Sequence, residues 1–268
     1  MSVSRDQLLQ FLSKVYEEQP DGQYNGLQVE GKKEIRSLVT GVSLCSDLIA
    51  EAVHKNADAI LVHHGFFGKS FLRVTDSIKK RLAPLLKHDI NLFAYHLPMD
   101  AHPVIGHNAQ LCKAAGLLLE KFYSCGCYCR NPDNLPGLEI IRRLGEFCDK
   151  KAYEVDARTP QQNDLCSSTF YGTRVWPFNS SLALDSPPRS IYICSGGSSG
   201  LIDEIEDVDL FIFGEPKESA ISTARDRGIS MAALGHWRSE QPGLWAIGDL
   251  ISKQFSIAVE HISIMCDV

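Results

Sequence analysis

The sequence lacks an excess of positive charge and any long apolar run. Lysine and arginine number 27 and aspartate and glutamate 33 among the 268 residues, which gives a formal net charge of −6. Nucleic-acid binding needs a dense basic face, so no nucleic-acid partner is predicted. A transmembrane helix needs about 20 mostly apolar residues in succession. The sequence holds no such run, so no membrane association is predicted.

Signal and nucleotide motifs are also missing. The amino-terminal residues lack the apolar core of a secretory signal, so a cytoplasmic location is expected, with the nine cysteines as free thiols. The stretch 195–200 reads Ser-Gly-Gly-Ser-Ser-Gly and has neither the lysine of a P-loop nor the spacing of a dinucleotide fingerprint. It is interpreted either as a cradle for an anion or as a tight turn between a strand and a helix.

What is present is an alternation of β-type apolar runs and helical patterns, after an opening helix around 8–15. The predicted strands cover 36–42, 58–62, 90–95, 117–123, 189–194, 208–213, 229–234 and 255–264. The predicted helices cover 46–55, 75–88, 104–115, 137–149, 217–227 and 240–252. Pro84 favours two short pieces for the second helix. This order predicts an α/β fold in which βαβ units surround a mainly parallel sheet.

Faint internal similarity predicts a duplication. Two segments that match along a predicted strand end in the same pattern, with His96 and Asp100 in one copy and His236 and Glu240 in the other. A repeated His-x3-acid at a strand terminus is hard to explain by packing alone, although two βαβ units can also be alike by coincidence.

The duplication sets the predicted domain organisation. The first half is 1–125, with a repeat core at about 36–116, and the second half is 126–268, with a repeat core at about 189–265. The segment 125–188 between the cores is rich in Cys, Pro, Asn and Ser. It is interpreted as the start of the second half, with a helix at 137–149 and a strand near 151–156.

Five residues at strand termini have the chemistry of metal ligands. They are His63, His64, Asp100, His236 and Glu240. His63 and His64 end a continuously apolar strand of the kind buried in a parallel sheet, and ligands bind at the carboxyl ends of such strands. Neighbours on an extended chain point to opposite sides, so the two histidines are expected to serve two ions, or one ion and a supporting role. A helix beginning at His236 would place Glu240 on the same face.

The ligand types indicate a class of metal and of chemistry. Imidazole and carboxylate suit Zn, Mn, Fe, Co or Ni, and the lack of cysteine at these positions argues against a closed structural zinc site. Five protein ligands cannot saturate two divalent ions, so water or substrate would complete the coordination. That arrangement is typical of hydrolytic dinuclear sites. Glu240, with two carboxylate oxygens, is the natural bridge, and Glu240 or a nearby histidine is the candidate for proton transfer.

Three further histidines and a glutamate are weaker candidates. His96 and Glu215 are interpreted as pocket residues or as partners that fix the tautomer of a ligand. For His102 and His107 a surface or helix-cap role is favoured.

Three cysteines alternate in Cys125-x-Cys127-x-Cys129, which would place them on one face of a strand. A thiolate metal site is one interpretation. Zinc sites favour two to four residues between cysteines, and no matching pair follows, so a partly buried strand at a sheet edge is favoured.

Several motifs occur together in a specific order along the chain. They are Asn25-Gly26-Leu27-Gln28-Val29-Glu30-Gly31, Val62-His63-His64-Gly65-Phe66-Phe67, His96-Leu97-Pro98-Met99-Asp100-Ala101-His102-Pro103, Ser195-Gly196-Gly197, Gly214-Glu215 and Gly235-His236-x3-Glu240. In this order the chain resembles the Nif-three-like family, often labelled GTP cyclohydrolase I type 2 homologue, and its bacterial short-form members in particular. The resemblance spans nearly the whole chain and weakens over about 125–188.

The resemblance implies a site for two metal ions, two interlinked α/β halves of similar fold, and a ring-shaped homohexamer with its sites facing an internal cavity. The implied ligands are His63, His64, Asp100, His236 and Glu240. The sequence departs from the family at Gly68, where an aromatic residue is common, and at His107, where asparagine is usual. Both positions lie near the expected pocket, so no substrate preference is carried over.

The leading hypothesis is a metal-dependent hydrolase with two divalent ions per chain that acts on a small polar substrate, a nucleotide or a related heterocycle. The alternative is a non-catalytic metal-binding protein that acts in ligand sensing, metal handling or assembly. Changing Glu240 to glutamine distinguishes the two, because an enzyme would lose turnover and keep its assembly.

Overall fold

The chain folds into two compact units, each made of two separate stretches of the sequence. The computed structural model describes residues 1–16, 21–68, 73–155, 172–178 and 184–266. The first unit comprises Met1–Met99 and Gly243–Ile264, and the second comprises Asp100–Pro242 and Met265–Val268. The chain thus enters the second unit at Asp100 and returns to the first at Gly243. The predicted halves, 1–125 and 126–268, concern a duplication and stay a prediction.

Strands and helices alternate through both units. Within the described residues the strands are β1 (Val3–Ser4), β2 (Gly26–Val29), β3 (Glu34–Ile35), β4 (Ser37–Ser43), β5 (Ala59–His64), β6 (Asn91–Ala94), β7 (Leu118–Tyr123), β8 (Gly126–Arg130), β9 (Arg174–Trp176), β10 (Ile191–Cys194), β11 (Leu210–Phe213), β12 (Ser230–Ala233) and β13 (Ala258–His261). The α-helices are α1 (Arg5–Val15), α2 (Ser46–His54), α3 (Asp76–Lys87), α4 (Leu97–Asp100), α5 (His107–Ala115), α6 (Gly137–Val155), α7 (Glu218–Arg227), α8 (His236–Ser239) and α9 (Pro242–Phe255). A 3-10 helix covers Ser199–Asp203. Among the described residues, no helix is both long and apolar enough to cross a membrane.

A five-stranded sheet in the order β13-β4-β5-β6-β2 organises the first unit. β13, β4, β5 and β6 run parallel, and β2 pairs with β6 in the antiparallel direction. β6 is buried along its whole length, as strands covered on both faces are. Ile60, Val62 and Leu92 share one core cluster with Leu48 and Ile49 of α2. This packing holds the carboxyl ends of β5 and β6 side by side.

A six-stranded sheet in the order β7-β8-β10-β11-β12-β9 organises the second unit. β10, β11 and β12 run parallel, and the other pairs are antiparallel. Side chains alternate between two cores, since Ile193 and Ile212 face a cluster that includes Leu144 of α6, whereas Tyr192 and Phe211 face another. Each unit therefore contains three successive parallel strands joined by crossovers, β4 to β6 in the first and β10 to β12 in the second, with their carboxyl ends on the same side of the sheet.

Local signals explain where helices begin and end. The α1 helix starts with a capping box, in which the Ser4 side chain accepts from the backbone N of Gln7 and the Gln7 side chain accepts in return from the Ser4 backbone N. The α7 helix ends at Gly228, whose φ of +67° is the left-handed conformation that favours glycine. These residues set element boundaries that periodicity alone places only approximately.

The mixed α/β fold with mainly parallel sheets is confirmed, and each strand and helix of the predicted alternation overlaps an observed element of the same kind. The sheet to which a strand belongs is less predictable. The strand predicted at 255–264 falls in the second repeat core, but it forms β13, which pairs with β4 in the sheet of the first unit. The strand predicted at 117–123 forms β7, which belongs to the sheet of the second unit. Pairing over more than 200 residues, as between β13 and β4, leaves no trace in the local pattern.

Two other local predictions are wrong. Residues 151–155 continue helix α6 and are not a strand, and residue 156 lies outside the described residues. The buried positions Ile140, Ile141, Leu144 and Cys148 give α6 a helical period that carries it onward. Pro84 does not divide α3, because it lies in the last turn, where one missing hydrogen bond interrupts little.

Candidate metal centre

Three histidines of the first unit cluster at the carboxyl ends of β5 and β6. His63 and His64 are the last two residues of β5, and His96 follows β6 by two residues. One ring nitrogen from each lies within 4.8 Å of those of the other two. The ring centroids of His63 and His64 are 4.5 Å apart, and those of His63 and His96 are 4.9 Å apart. Parallel pairing of β5 with β6 brings these residues together.

The closeness of His63 and His64 differs from what alternation along a strand predicts. His63 is buried and His64 is half-buried, yet their rings reach the same group. His64 is the last residue of β5 and still pairs with Ser43, yet one of its ring nitrogens lies within 4.8 Å of one from His63. Both rings can therefore take part in one metal-binding group, and they need not bind two different ions.

Hydrogen bonds fix the ring of His63. Its Nδ1 lies 3.0 Å from the carbonyl oxygen of Tyr95. A carbonyl only accepts, so Nδ1 carries the proton and Nε2 carries the lone pair. The ring of His64 is held at Nδ1 by the hydroxyl of Ser43, 3.0 Å away. Ser43 is the last residue of β4, and Tyr95 is the residue after β6. Both contacts therefore come from the two strands that pair with β5.

Asp21 holds the third ring, and no local pattern in the sequence signals this pair. Oδ1 of Asp21 lies 2.9 Å from Nδ1 of His96, and the Asp21 side chain is only 2% exposed. Burial alone would raise the pKa of Asp21, but hydrogen bonds from His96 and from the backbone N–H groups of Gln23 and Leu97 hold it below its ordinary value. Asp21 is therefore a carboxylate that accepts the Nδ1 proton of His96.

A second group of donors lies in the second unit, after β11 and β12. His236 begins α8 and Glu240 caps its end, with His236 Nε2 3.1 Å from Glu240 Oε1. The expected i, i+4 arrangement is thus present. Glu215 Oε2 accepts from His236 Nδ1 at 2.7 Å. The hydrogen bond to Glu240, reinforced by Glu215, raises the pKa of His236 to about 9.

The turn 195–197 joins Asp100 to this group. The Ser195 Oγ donates to Asp100 Oδ1 at 2.6 Å, and Gly196 N donates to the Ser239 Oγ at 3.0 Å. Gly196 has a φ of +66°, and a Cβ at this position would collide with Oε1 of Glu240. Of the two interpretations of this serine and glycine stretch, the tight turn describes what its backbone does. Because Gly196 has no side chain, the Glu240 carboxylate can lie directly against the backbone of the turn.

Asn108 and His107 complete the surroundings of Asp100. Asn108 Nδ2 lies 3.3 Å from the Asp100 carbonyl oxygen, and Asn108 Oδ1 accepts from Ser195 N at 2.7 Å. His107 is fully buried, with a ring nitrogen within 4.8 Å of the Asp100 carboxylate, so the expected surface role is wrong. It is the first residue of α5, which turns its side chain inward. The Nδ1 of His102 accepts from the backbone N–H groups of Val104 and Ile105, which lie in the turn before α5, so His102 closes a turn and does not cap a helix.

Two of the three cysteines, Cys127 and Cys129, share one face of a strand that is not at a sheet edge, whereas Cys125 lies in the turn before it. Strand β8, which contains Cys127 and Cys129, pairs with β7 on one side and β10 on the other. Both thiols are fully buried on one face, with their Sγ atoms 3.6 Å apart. The edge prediction is wrong because β7 covers the outer side of β8. Within the described residues, the groups with metal-ligand geometry contain no cysteine.

The chain matches over residues 3–267 the family described as Duf34/NIF3 (NGG1p interacting factor 3). The chain belongs to this family. Its curated relatives include the GTP cyclohydrolase 1 type 2 homolog of Pasteurella multocida, 37% identical over 242 residues, which cover 88% of this chain and 87% of that protein. The protein of the same description from Escherichia coli K12 is 35% identical over 247 residues, covering 90% and 89%. The family resemblance seen in the sequence is confirmed.

Solved structures of Duf34/NIF3-like proteins share the fold. Protein ybgI aligns with a TM-score of 0.83 and 29% identity, covering 99% of this chain and 100% of that one. TTHA1606 from Thermus thermophilus aligns with a TM-score of 0.82 and 26% identity, with the same coverage. Reduced HcgD from Methanocaldococcus jannaschii, at 18% identity and a TM-score of 0.76, covers 98% of this chain and 99% of that one and shows likeness of fold alone.

The donor atoms of this Duf34/NIF3 chain fit a divalent ion of the transition series. The first unit offers imidazole nitrogens, and the second offers carboxylate oxygens together with the imidazoles of His107 and His236. Mixed nitrogen and oxygen ligands suit Zn, Mn, Fe, Co or Ni better than the all-oxygen ligands that Ca and Mg prefer. Clusters of His, Asp and Glu that can hold a metal ion are therefore present in the fold.

Proposed function

We propose that this member of the Duf34/NIF3 family is a metal-dependent hydrolase of a small polar substrate, a nucleotide or a related heterocycle. Two divalent ions of Zn, Mn, Fe, Co or Ni would be its cofactors. The proposed ligands are His63, His64, Asp100, His236 and Glu240. The observation that supports the proposal most directly is the hydrogen bond that the Nδ1 atom makes in three histidine rings.

Three histidines, one of them outside the proposed ligand set, make the same kind of hydrogen bond. His63 donates from Nδ1 to a backbone carbonyl, while His96 and His236 donate from Nδ1 to buried or half-buried carboxylates. Metal-binding histidines almost always donate their second ring N–H in this way, because it fixes the tautomer and directs the other nitrogen at the ion. Packing alone would not require the same bond at three separate rings.

Along the chain, the proposed ligands His63 and His64 belong to the first unit, whereas Asp100, His236 and Glu240 belong to the second. Asp100, the first residue of the second unit, follows His96 by four residues. Glu240 precedes Gly243, where the chain returns to the first unit, by three residues. In the sequence, proposed ligands of the second unit therefore lie within three residues of both positions at which the chain passes from one unit to the other.

The residues divide into those that act at the reacting centre and those that orient them. Ions with such ligands polarise a carbonyl or phosphoryl oxygen and lower the pKa of a water molecule. Glu240, a buried carboxylate whose Oε1 lies 3.1 Å from Nε2 of His236, would accept a proton there. Glu215 would keep His236 in one tautomer, and the Ser195 hydroxyl would orient Asp100.

The substrate class follows from the open coordination of such a site and from the names of the relatives. The curated relatives are described as GTP cyclohydrolase 1 type 2 homologs, so GTP is the first nucleotide to test. The panel also includes pterins, which are related heterocycles, and phosphoesters, which have simpler leaving groups.

The test uses the full chain purified without chelators, with its metal content measured and the panel then assayed. Glu240→Gln should abolish turnover while the protein keeps its assembly, since glutamine cannot take up a proton. Glu206→Gln, at an exposed position, is the matched control and should keep full activity. A metal-loaded protein without turnover on any member of the panel would sink the hydrolase proposal.

The competing function, a non-catalytic metal-binding protein for ligand sensing, metal handling or assembly, gives the opposite pattern. Removal of metal would then change the oligomeric state, and Glu240→Gln would change assembly with no activity to lose. We further propose a homohexamer in the cytoplasm. Light scattering coupled to size-exclusion chromatography gives the number of chains, and any value other than six would contradict the hexamer.

A further inference from the structure

Two thiols of the second unit lie close together outside the donor groups. Cys125 is in the turn between β7 and β8, and Cys194 is the last residue of β10. Their Sγ atoms are 3.4 Å apart. Cys125 is half-buried, so a small molecule can reach it, whereas Cys194 is fully buried behind it. One reachable thiol with a second thiol in contact is the arrangement of an oxidisable pair.

Cys125 is hydrogen-bonded into the surroundings of Asp100, and Cys194 adjoins a residue that is. The carbonyl oxygen of Cys125 accepts from Asn108 Nδ2 at 2.7 Å, and the same nitrogen lies 3.3 Å from the carbonyl oxygen of Asp100. Asn108 Oδ1 accepts from the backbone N of Ser195, the residue after Cys194. Ser195 Oγ then donates to the Asp100 carboxylate. A movement of either cysteine backbone therefore acts on groups that hold Asp100.

The pair also differs in reactivity. The hydrogen bond with Cys194 lowers the pKa of Cys125, while that same bond, together with burial, raises the pKa of Cys194 well above its ordinary value. The thiolate is the nucleophile in thiol chemistry. Cys125 is thus suited to react first and Cys194 to react second.

We propose that Cys125 and Cys194 are an oxidation site at which hydroperoxides form an intramolecular disulfide, and that this disulfide loosens the support of Asp100. The first part stands on its own. The second part rests on the proposed function, in which Asp100 is a metal ligand.

The reaction balances with a hydroperoxide as oxidant. The Cys125 thiolate attacks one peroxide oxygen, which breaks the O–O bond, gives a sulfenic acid and releases an alkoxide or hydroxide that takes up a proton. The Cys194 sulfur then attacks the sulfenic sulfur, and the hydroxyl group leaves with the Cys194 proton as water. Two thiols lose two electrons, and the peroxide gains them.

Closing the bond requires movement. The sulfur atoms must approach from 3.4 Å to about 2.05 Å, with a Cβ–S–S–Cβ dihedral near 90°. Part of this is side-chain rotation, and the remainder falls on the backbone of Cys125 and Cys194. Because those backbones are bonded to Asn108 or adjoin Ser195, the oxidised protein should hold Asp100 less firmly.

The experiment treats the full-length, metal-loaded protein with hydrogen peroxide, quenches with N-ethylmaleimide under denaturing conditions and counts labels by intact mass. Nine cysteines label before oxidation, and we expect seven labels after it, with peptide mapping joining Cys125 to Cys194. Cys125→Ser and Cys194→Ser should each prevent that link. The buried pair of Cys127 and Cys129 is the internal control, so Cys127→Ser should leave the link intact.

Metal retention is measured on the same samples against a chromophoric chelator. Oxidation should weaken metal binding by about 10- to 100-fold, as loss of support around a ligand does, and dithiothreitol should restore it. Nine labels after peroxide, or a link at other cysteines, would overturn the oxidation site. A Cys125–Cys194 disulfide with unchanged metal binding would overturn the coupling. A protein that binds no metal would end the proposed function and leave the disulfide result to stand or fall alone.

Discussion

The Oγ atom of Ser195 donates a 2.6 Å hydrogen bond to Oδ1 of Asp100, and both residues are buried. A buried carboxylate needs donors, because its desolvation is costly when they are missing. Ser195 also begins the turn in which Gly196 lies against Glu240. One short turn thus orients two of the acids proposed to bind metal, although they are 140 positions apart in the sequence, from 100 to 240.

Ser195→Ala should lower the free energy of unfolding by about 1–3 kcal/mol, because a buried carboxylate loses a donor. It should also weaken metal binding by roughly 10- to 100-fold, as removal of a ligand's hydrogen-bond partner does. Urea unfolding and chelator competition measure the two effects. Ser222→Ala, on the exposed face of α7, is the control and should change neither. Equal metal binding by the two variants would contradict the orienting role of Ser195.

Gly196→Ala tests the close approach of Glu240 to the turn. Gly196 and Gly228 have nearly the same φ, +66° and +67°, so alanine should cost each about 1–2 kcal/mol of backbone strain. Only at Gly196 of these two would the new Cβ meet a described side chain, since no described atom lies within 4 Å of a Cβ at Gly228. We expect both variants to lose stability in thermal unfolding and only Gly196→Ala to lose metal. Loss of metal in both would assign the effect to strain.

Asp21→Asn tests the role of the carboxylate behind His96. The variant keeps the shape of the side chain but removes the charge that fixes the Nδ1 proton of His96. Metal affinity should fall by about 10-fold or more, because Asp21 fixes the ring of His96 within the cluster of three histidines. Isothermal titration with Zn or Co measures this fall. Asp133→Asn, at an exposed position, serves as control. An unchanged affinity would separate His96 from metal binding.

Asp58 should make stability depend on acid pH. Burial acts to raise its pKa, but bonds from Lys32 Nζ at 2.6 Å and from backbone N–H groups hold the pKa below 3.8. A carboxylate with a lowered folded-state pKa stabilises the fold above its unfolded pKa and loses that effect as the pH falls through the folded value.

Asp58→Asn should therefore cost about 1–3 kcal/mol at pH 7, and the difference from wild type should shrink below pH 3.8. Urea unfolding across this range gives both numbers. Asp89→Asn, at an exposed residue, is the control and should follow the wild type at every pH. A constant difference between Asp58→Asn and wild type would mean that the charge is not the cause.

The sequence predicts those features that depend on local pattern. Apolar runs bounded by turns place β5 and β6, and the histidines at their carboxyl ends follow from the rule that such ends collect functional side chains. The His236 and Glu240 pair follows in the same way from helical spacing. Each of these inferences uses residues within about one turn or one strand of each other.

The features that local pattern misses depend on contacts between distant residues. The pairing of β13 with β4 and the bond from Asp21 to His96 join parts of the chain that no periodicity relates. The alternation around Cys127 cannot show that β8 is an inner strand, because the position of β7 beside it is a property of the sheet. Burial of His107 has the same origin, since it depends on what α5 packs against.

The most direct test of the central claim is metal analysis of the chain purified without chelators, with X-ray absorption at the edge of the metal found. We predict two divalent ions per chain, coordinated by imidazole nitrogen and carboxylate oxygen, and a loss of at least one ion in His63→Ala. Protein that contains no metal, together with a His63→Ala variant of unchanged stability, would contradict it.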